Sequence, residues 1–136
     1  MIVVLDTNVV LTARVPKHRH SPIFTAFAAG RFGIALSTSI KLEWEEIISA
    51  RANVGQWLVF ARILEVASER HSNVLHIEPS FHFRLISADP DDDKFADCAI
   101  AANADYLVTE DVHFDAMNTA GYKPRVISPV EFIALL

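Results

Sequence analysis

Short β-rich apolar runs alternate with helical stripes along the whole chain, and that alternation restricts the fold more than any other feature. Ile2-Val3-Val4-Leu5 is continuous and apolar, as a strand buried on both faces of a parallel sheet requires. Gly33 to Ser37, Val74 to Ile77, Tyr106 to Thr109 and Arg125 to Ile127 read as four further strands. Helical patterns fall between them, over 8–13, 23–29, 39–52, 57–68, 93–104 and 112–120, with Gly30 and Gly121 as stops. The 39–52 segment carries its stripe at Ile40, Trp44, Ile47 and Ile48. Pro16 to Pro22 reads as a basic loop, and Ser128-Pro129-Val130-Glu131 offers a capping box with proline at the first helical position. The expectation is an α/β protein, a three-layer α/β/α sandwich around a mostly parallel central sheet. No repeat, linker or low-complexity stretch interrupts the 136 residues, so one domain over 1–136 is expected.

Composition narrows the class. With 51% apolar and 21% charged residues the chain can build a packed core, which excludes disordered and fibrous readings. Its longest apolar stretches, 53–66 and 96–104, are interrupted well short of the roughly 18 residues of a membrane span. The first residues lack the basic region and cleavage pattern of a signal peptide, so the expected location is the cytoplasm, away from membranes. Cys98 stands alone and can form neither an internal disulfide nor a cysteine-based zinc site; it is expected in the core.

Net charge is −5, an unpromising total for a nucleic-acid binder, but its distribution is uneven. Nine acids lie between residues 89 and 115 against one base, Lys94, leaving −8 there and +3 over the remainder. Residues 1–42 hold Arg14, Lys17, Arg19, Arg31 and Lys41 with a single acid, Asp6. Concentrated acid beside basic flanks suits a divalent-cation site next to a surface for a polyanion.

Ligands of parallel α/β sheets sit at the carboxyl ends of the strands, and Asp6 and Asp111 fall there. Each could instead cap the helix that follows, as could Asp93. Asp97 cannot, because it lies a full turn inside its helix. Asp93 and Asp97, four residues apart, share a helix face and repel one another unless a cation lies between them. Mg²⁺ and Mn²⁺ take oxygen ligands, and phosphoryl-transfer enzymes hold them with a few carboxylates plus water and phosphate. Glu43 on the helix after the second strand could add a carboxylate, with Glu46 a near-equivalent alternative. Zinc-ligand spacing, a P-loop, a GxGxxG turn and a GxSxG elbow are all missing from the sequence.

Val3-Val4-Leu5-Asp6-Thr7-Asn8, Ser37 to Glu43 with Glu46 following, Asp91-Asp92-Asp93-Lys94-Phe95-Ala96-Asp97-Cys98-Ala99 and Tyr106-Leu107-Val108-Thr109-Glu110-Asp111 occur in this order. In order and spacing they resemble a PIN domain, the nuclease fold of VapC-type toxins and related bacterial ribonucleases. The resemblance spans nearly the entire chain. It implies a metal-dependent endoribonuclease with a catalytic cluster of Asp6, Glu43, Asp97 and Asp111. It also implies Mg²⁺ or Mn²⁺ on Asp6, Asp97 and Asp111, with Asp93 as a further ligand, and support from Thr7, Asn8, Thr109 and Glu46. RNA would be the substrate, its backbone held by Arg14, Lys17, Arg19 and Lys41. The stretch after Asp111 departs from the commonest family pattern, which leaves Asp115 outside the expected ligand set.

By the same resemblance a small antitoxin would be the partner. Trp57, Leu58, Phe60, Ile63 and the closing 132–136 segment exceed what one helical stripe needs, so they are candidates for that contact, for a homodimer, or for the core. The competing reading is a noncatalytic PIN-like module acting through a protein partner. A receiver-type phosphoacceptor would need a mid-chain strand-end Asp with a later Lys, and a haloacid-dehalogenase phosphatase an Asp-x-Asp after the first strand; neither pattern occurs.

Overall fold

A computed structural model of the chain describes residues 1–86 and 89–136. Its elements run β1 (Ile2–Leu5), α1 (Thr7–Ala13), α2 (Ser21–Ala28), β2 (Gly33–Leu36), α3 (Thr38–Arg51), α4 (Val54–His71), β3 (Val74–His76), α5 (Asp93–Ala101), β4 (Tyr106–Val108), β5 (Arg125–Ile127) and α6 (Pro129–Ala134). Two 3₁₀ segments, Pro90–Asp92 and Val112–Thr119, precede α5 and follow β4. The five strands form one sheet, ordered β3-β2-β1-β4-β5 and parallel throughout. Val3 sits opposite Ile34 on one side and Tyr106 on the other, and Leu5 opposite Val108.

That order makes the chain wind outward in one direction from β1 to β3 and in the other from β4 to β5. Since crossovers between parallel strands are right-handed, α1 to α4 cover one face, while α5 and the Val112–Thr119 segment cover the other. α5 accordingly packs on β1, β2 and β4. The strand order reverses between β1 and β4, and the carboxyl edge there opens a crevice in which such sheets bind ligands.

Local chemistry sets the boundaries. Ser37, expected as the end of a strand, instead caps α3 by accepting from Ile40 N at 3.3 Å. Asn53 accepts from Gln56 N at 2.8 Å, so α4 starts at Val54, earlier than its apolar stripe, with Gly55 inside its first turn. The 112–119 segment is 3₁₀ and not α-helical, with Phe114 N donating to Asp111 O and Ala120 N to Met117 O. α5 stops at Ala101, and Asn103 beyond it takes φ of 50°. The capping box at Ser128 and Glu131 is present in both directions.

Trp44, Phe27, Phe95, Phe114 and Phe132 are among the largest fully buried side chains of the core. Trp57 and Phe60 are buried with them, so of the proposed contact residues these two and Phe132 belong to the interior. Leu58 and Leu135 remain exposed. Cys98 is buried, which pushes its thiol up to about 12 and leaves it protonated and unreactive. Asp105, counted above among the clustered acids, lies at the opposite edge of the sheet, accepting from Ile2 N at 2.8 Å and pairing with Lys123. No helix among the described residues is long and apolar enough to cross a membrane.

Buried Asn73 ties the turn after α2 to the start of β3, its Nδ2 donating to both Phe27 O and Phe32 O at 3.0 Å. Removing it takes that donor from Phe32 O and leaves Phe27 O with Gly30 N alone, so Asn73→Ala is expected to lower stability by about 1–3 kcal/mol in urea unfolding.

Candidate active site

The carboxyl edge between β1 and β4 is built from backbone outward. Asp6 N continues the ladder by donating to Val108 O at 3.1 Å, and Thr109 N donates to Ile127 O at 3.0 Å. Both residues are therefore held rigidly where the strands end. Asp6 occupies the position before α1 yet makes no side-chain cap bond. Its Oδ2 instead accepts from Thr109 Oγ1 at 2.8 Å, and that hydroxyl oxygen accepts from Asp111 N at 3.0 Å. Asp111 does act as a cap, accepting from His113 N at 2.9 Å.

α3 brings Glu43 to the same edge. Thr7 Oγ1 donates to its Oε2, and Lys94 Nζ lies 2.7 Å from its Oε1. Asp6 is buried, and its carboxyl is raised above the ordinary range chiefly by desolvation, with Asp111 and Glu43 adding repulsion and bonds from Thr109 and Thr7 opposing it. Asp92, in the 3₁₀ turn before α5, is raised to about 6 by desolvation and by the charges of Asp89, Asp6, Asp111 and Glu43. Asp6, Glu43, Asp92 and Asp111 thus crowd one edge, with Lys94 paired to one of them.

Asp93 and Asp97, expected at this cluster, turn elsewhere. Asp93 Oδ1 accepts from Ile86 N at 2.8 Å; Asp97 accepts from Phe83 N at 3.0 Å and lies 3.1 Å from His82 Nδ1. One helical turn apart, they do share a face, but it is the face that anchors the backbone of residues 82–86. Asp92 and Lys94 are the members that residue spacing did not single out. Their only sequence signal is the run Asp91-Asp92-Asp93-Lys94, within which the choice depends on where α5 begins. Glu46 is exposed and pairs with no cation among the described residues, so Glu43 is the glutamate that α3 presents.

Asn8 is exposed in a cleft beside Asp6 and Asp111. Arg14, Lys17 and Arg19 come from the end of α1 and the turn after it, with Arg19 reaching Glu110 at 3.5 Å. Lys41 does not join them; it lines a separate groove with Leu36, Leu58 and His76.

Among the described residues no three His, Cys, Asp or Glu side chains converge into a ready ligand cage. The donor chemistry nevertheless fits a hard divalent ion, because every candidate is a carboxylate oxygen and the cluster carries uncompensated negative charge. Mg²⁺ is commonly held by one or two carboxylates with waters and substrate phosphate completing the shell, which needs no cage.

The chain belongs to the PIN domain family, which it matches over residues 2–113. Among solved structures it is similar to VapBC2 from Rickettsia felis bound to a DNA fragment from their promoter. The identity is 20%, over 93% of this chain and 99% of that one, with a TM-score of 0.60. At that identity the likeness concerns the fold. No curated protein sequence matches the chain.

The raised carboxyl of Asp92 carries a stability consequence. Its folded value near 6 exceeds the unfolded 3.8, so the native state loses stability as pH rises from about 4 through 6. In EDTA at pH 7.5, Asp92→Asn is expected to be more stable than the parent by about 1 kcal/mol after allowance for solvent screening, or about 3 °C in Tm. The gap should close as pH falls toward 4 in thermal scans.

Proposed function

We propose that this protein is a divalent-metal-dependent endoribonuclease of toxin type, controlled by a small protein partner. The observation that carries the reading is the gathering of Asp6, Glu43, Asp92 and Asp111 at the point where the strand order of a PIN domain reverses. Three of the four, Asp6, Glu43 and Asp111, have a structural reason to stay in place. Thr109 fixes Asp6 and the backbone entering Asp111, while Thr7 and Lys94 fix Glu43. Aligned carboxylates of this kind are preorganised for an ion and costly without one. Bound Mg²⁺ or Mn²⁺ would supply a water of lowered pKa and polarise the scissile phosphate. Asp93 and Asp97 serve by holding residues 82–86 against α5.

Arg14, Lys17 and Arg19 hold the RNA backbone in this reading, because Lys and Arg neutralising phosphates supply most nonspecific affinity. A toxin-type partner is supported by the family and by the fold shared with a VapBC complex. Exposed Leu42, Val54, Leu58 and Val59 on α3 and α4 offer an apolar surface for it. The presence of the four carboxylates and their supporting hydroxyls speaks against the noncatalytic alternative.

Cleavage of end-labelled single-stranded RNA tests the proposal. Activity should require Mg²⁺ or Mn²⁺, vanish in EDTA, and fall about 100-fold or more in Asp6→Asn and Asp92→Asn. Asp97→Ala should chiefly lower stability, by about 1–3 kcal/mol, because Phe83 N loses its acceptor. An Asp6→Asn preparation as active as the parent would trace the cleavage to a contaminant and remove the reading.

Binding should weaken steeply with salt. Lys17→Ala is expected to reduce the slope of log K against log salt by about 1, and Lys41→Ala to leave it unchanged, as read by fluorescence anisotropy.

A further inference from the structure

β3 stands at one end of the strand order and pairs with β2 alone. Its ladder is fixed at both ends, where Ile34 N donates to Asn73 O and Ile77 N to Leu36 O, each at 2.8 Å. Backbone groups alternate sides along a strand, so Asn73, Leu75 and Ile77 turn theirs toward β2. The N–H and C=O of Val74 and His76 therefore point out of the sheet. No strand or turn among the described residues takes these four groups. Residues 74–76 also carry no lysine, proline or bulge of the kind that keeps another strand from an open edge.

The edge borders a groove of about 640 Å³ between β3 and α4, lined by Val74, His76 and Leu58 with charged side chains around them. Those charges are ordered along the strand. α4 leads directly into β3, so Glu69 in its last turn stands beside the Val74 end. Lys41, in the first turn of α3, stands beside the other end, where Leu36 of β2 lies opposite His76. Arg62 and Glu65 pair with each other between the two ends, at 2.8 Å. An occupant that fits must offer backbone donors and acceptors in extended form, and the reverse order of charge. A second copy of this chain, turned by a two-fold axis, offers both.

We propose that the β3 edge is a homodimer interface, in which two copies pair their third strands antiparallel and join two five-stranded sheets into one of ten strands. With Leu75 on the two-fold axis, Val74 of each copy lies opposite His76 of the second copy. Such a pair exchanges both N–H···O bonds, so this register uses all four outward groups of each strand. It also sets the Lys41 end of one groove against the Glu69 end of the other. Leu42, Val54 and Val59 do not line the groove and stay available to a different protein partner. The crevice between β1 and β4 remains open, because β2 separates β3 from β1. The interface therefore stands whether or not the ribonuclease reading does.

Sedimentation equilibrium of the full chain between about 1 and about 100 µM should show monomers and dimers in exchange. Val74→Pro removes an outward N–H and leaves the bonds to β2 in place, so the variant should fold. Its dimer dissociation constant should rise about tenfold or more, since the loss occurs twice across the axis. Leu75→Cys places a thiol opposite itself in a non-hydrogen-bonded pair, whose Cα atoms lie about 4.5 Å apart and within disulfide range. Mild oxidation should cross-link it at least about tenfold faster than Val74→Cys or His76→Cys, whose equivalents lie farther from the axis. Cys98 is buried and contributes no background.

A parent that stays monomeric at about 100 µM overturns the proposal and leaves the edge to a strand of another protein. A dimer unchanged by a folded Val74→Pro joins through a different surface, which overturns it equally. Should Val74→Pro fail to fold, the cysteine series decides: cross-linking of Leu75→Cys no faster than that of its neighbours ends the idea.

Discussion

The hydrogen bond from Thr109 Oγ1 to Asp6 Oδ2 joins the ends of β1 and β4, two strands from opposite ends of the chain that are neighbours in the sheet. It turns the Asp6 carboxylate away from the cap position of α1 and toward the crevice. The same hydroxyl oxygen receives Asp111 N, so one side chain sets the relation between two acids. Glu43, Lys94 and Asp92 are then brought in by helices on both faces of the sheet, and each depends on the β1–β4 pairing being in register.

The arrangement is electrostatically unfavourable by itself. Burial raises Asp6 and Asp92, and each neighbouring carboxylate raises them further. An isolated fold would gain by replacing these groups with neutral ones, which is why their presence together, oriented by buried hydroxyls, points to a site and not to a structural network. Asp97 and Asp93 illustrate the contrast. Their carboxylates accept backbone N–H groups of residues 83 and 86, which is how an acid beside a core helix is stabilised when it serves the fold.

Much of the architecture was legible in advance because strands buried on both faces read as continuous apolar runs. Ile2 to Leu5 could be little else, and Asp6 at its end was marked by the abrupt change from apolar to charged. The boundaries that shifted did so through side-chain caps. Ser37 and Asn53 each drew a helix start to a place that periodicity alone did not indicate. The Val112–Thr119 segment kept a helical pattern but closed on i to i−3 bonds.

The sequence by itself determined the alternating α/β plan, the acids at the ends of β1 and β4, and the glutamate on α3, because each is tied to a local pattern. Which carboxylate of the 91–97 stretch faces the cluster was decided only in three dimensions. Successive helical residues point about 100° apart, so a one-residue change in where the helix begins exchanges the site for the face that holds residues 82–86.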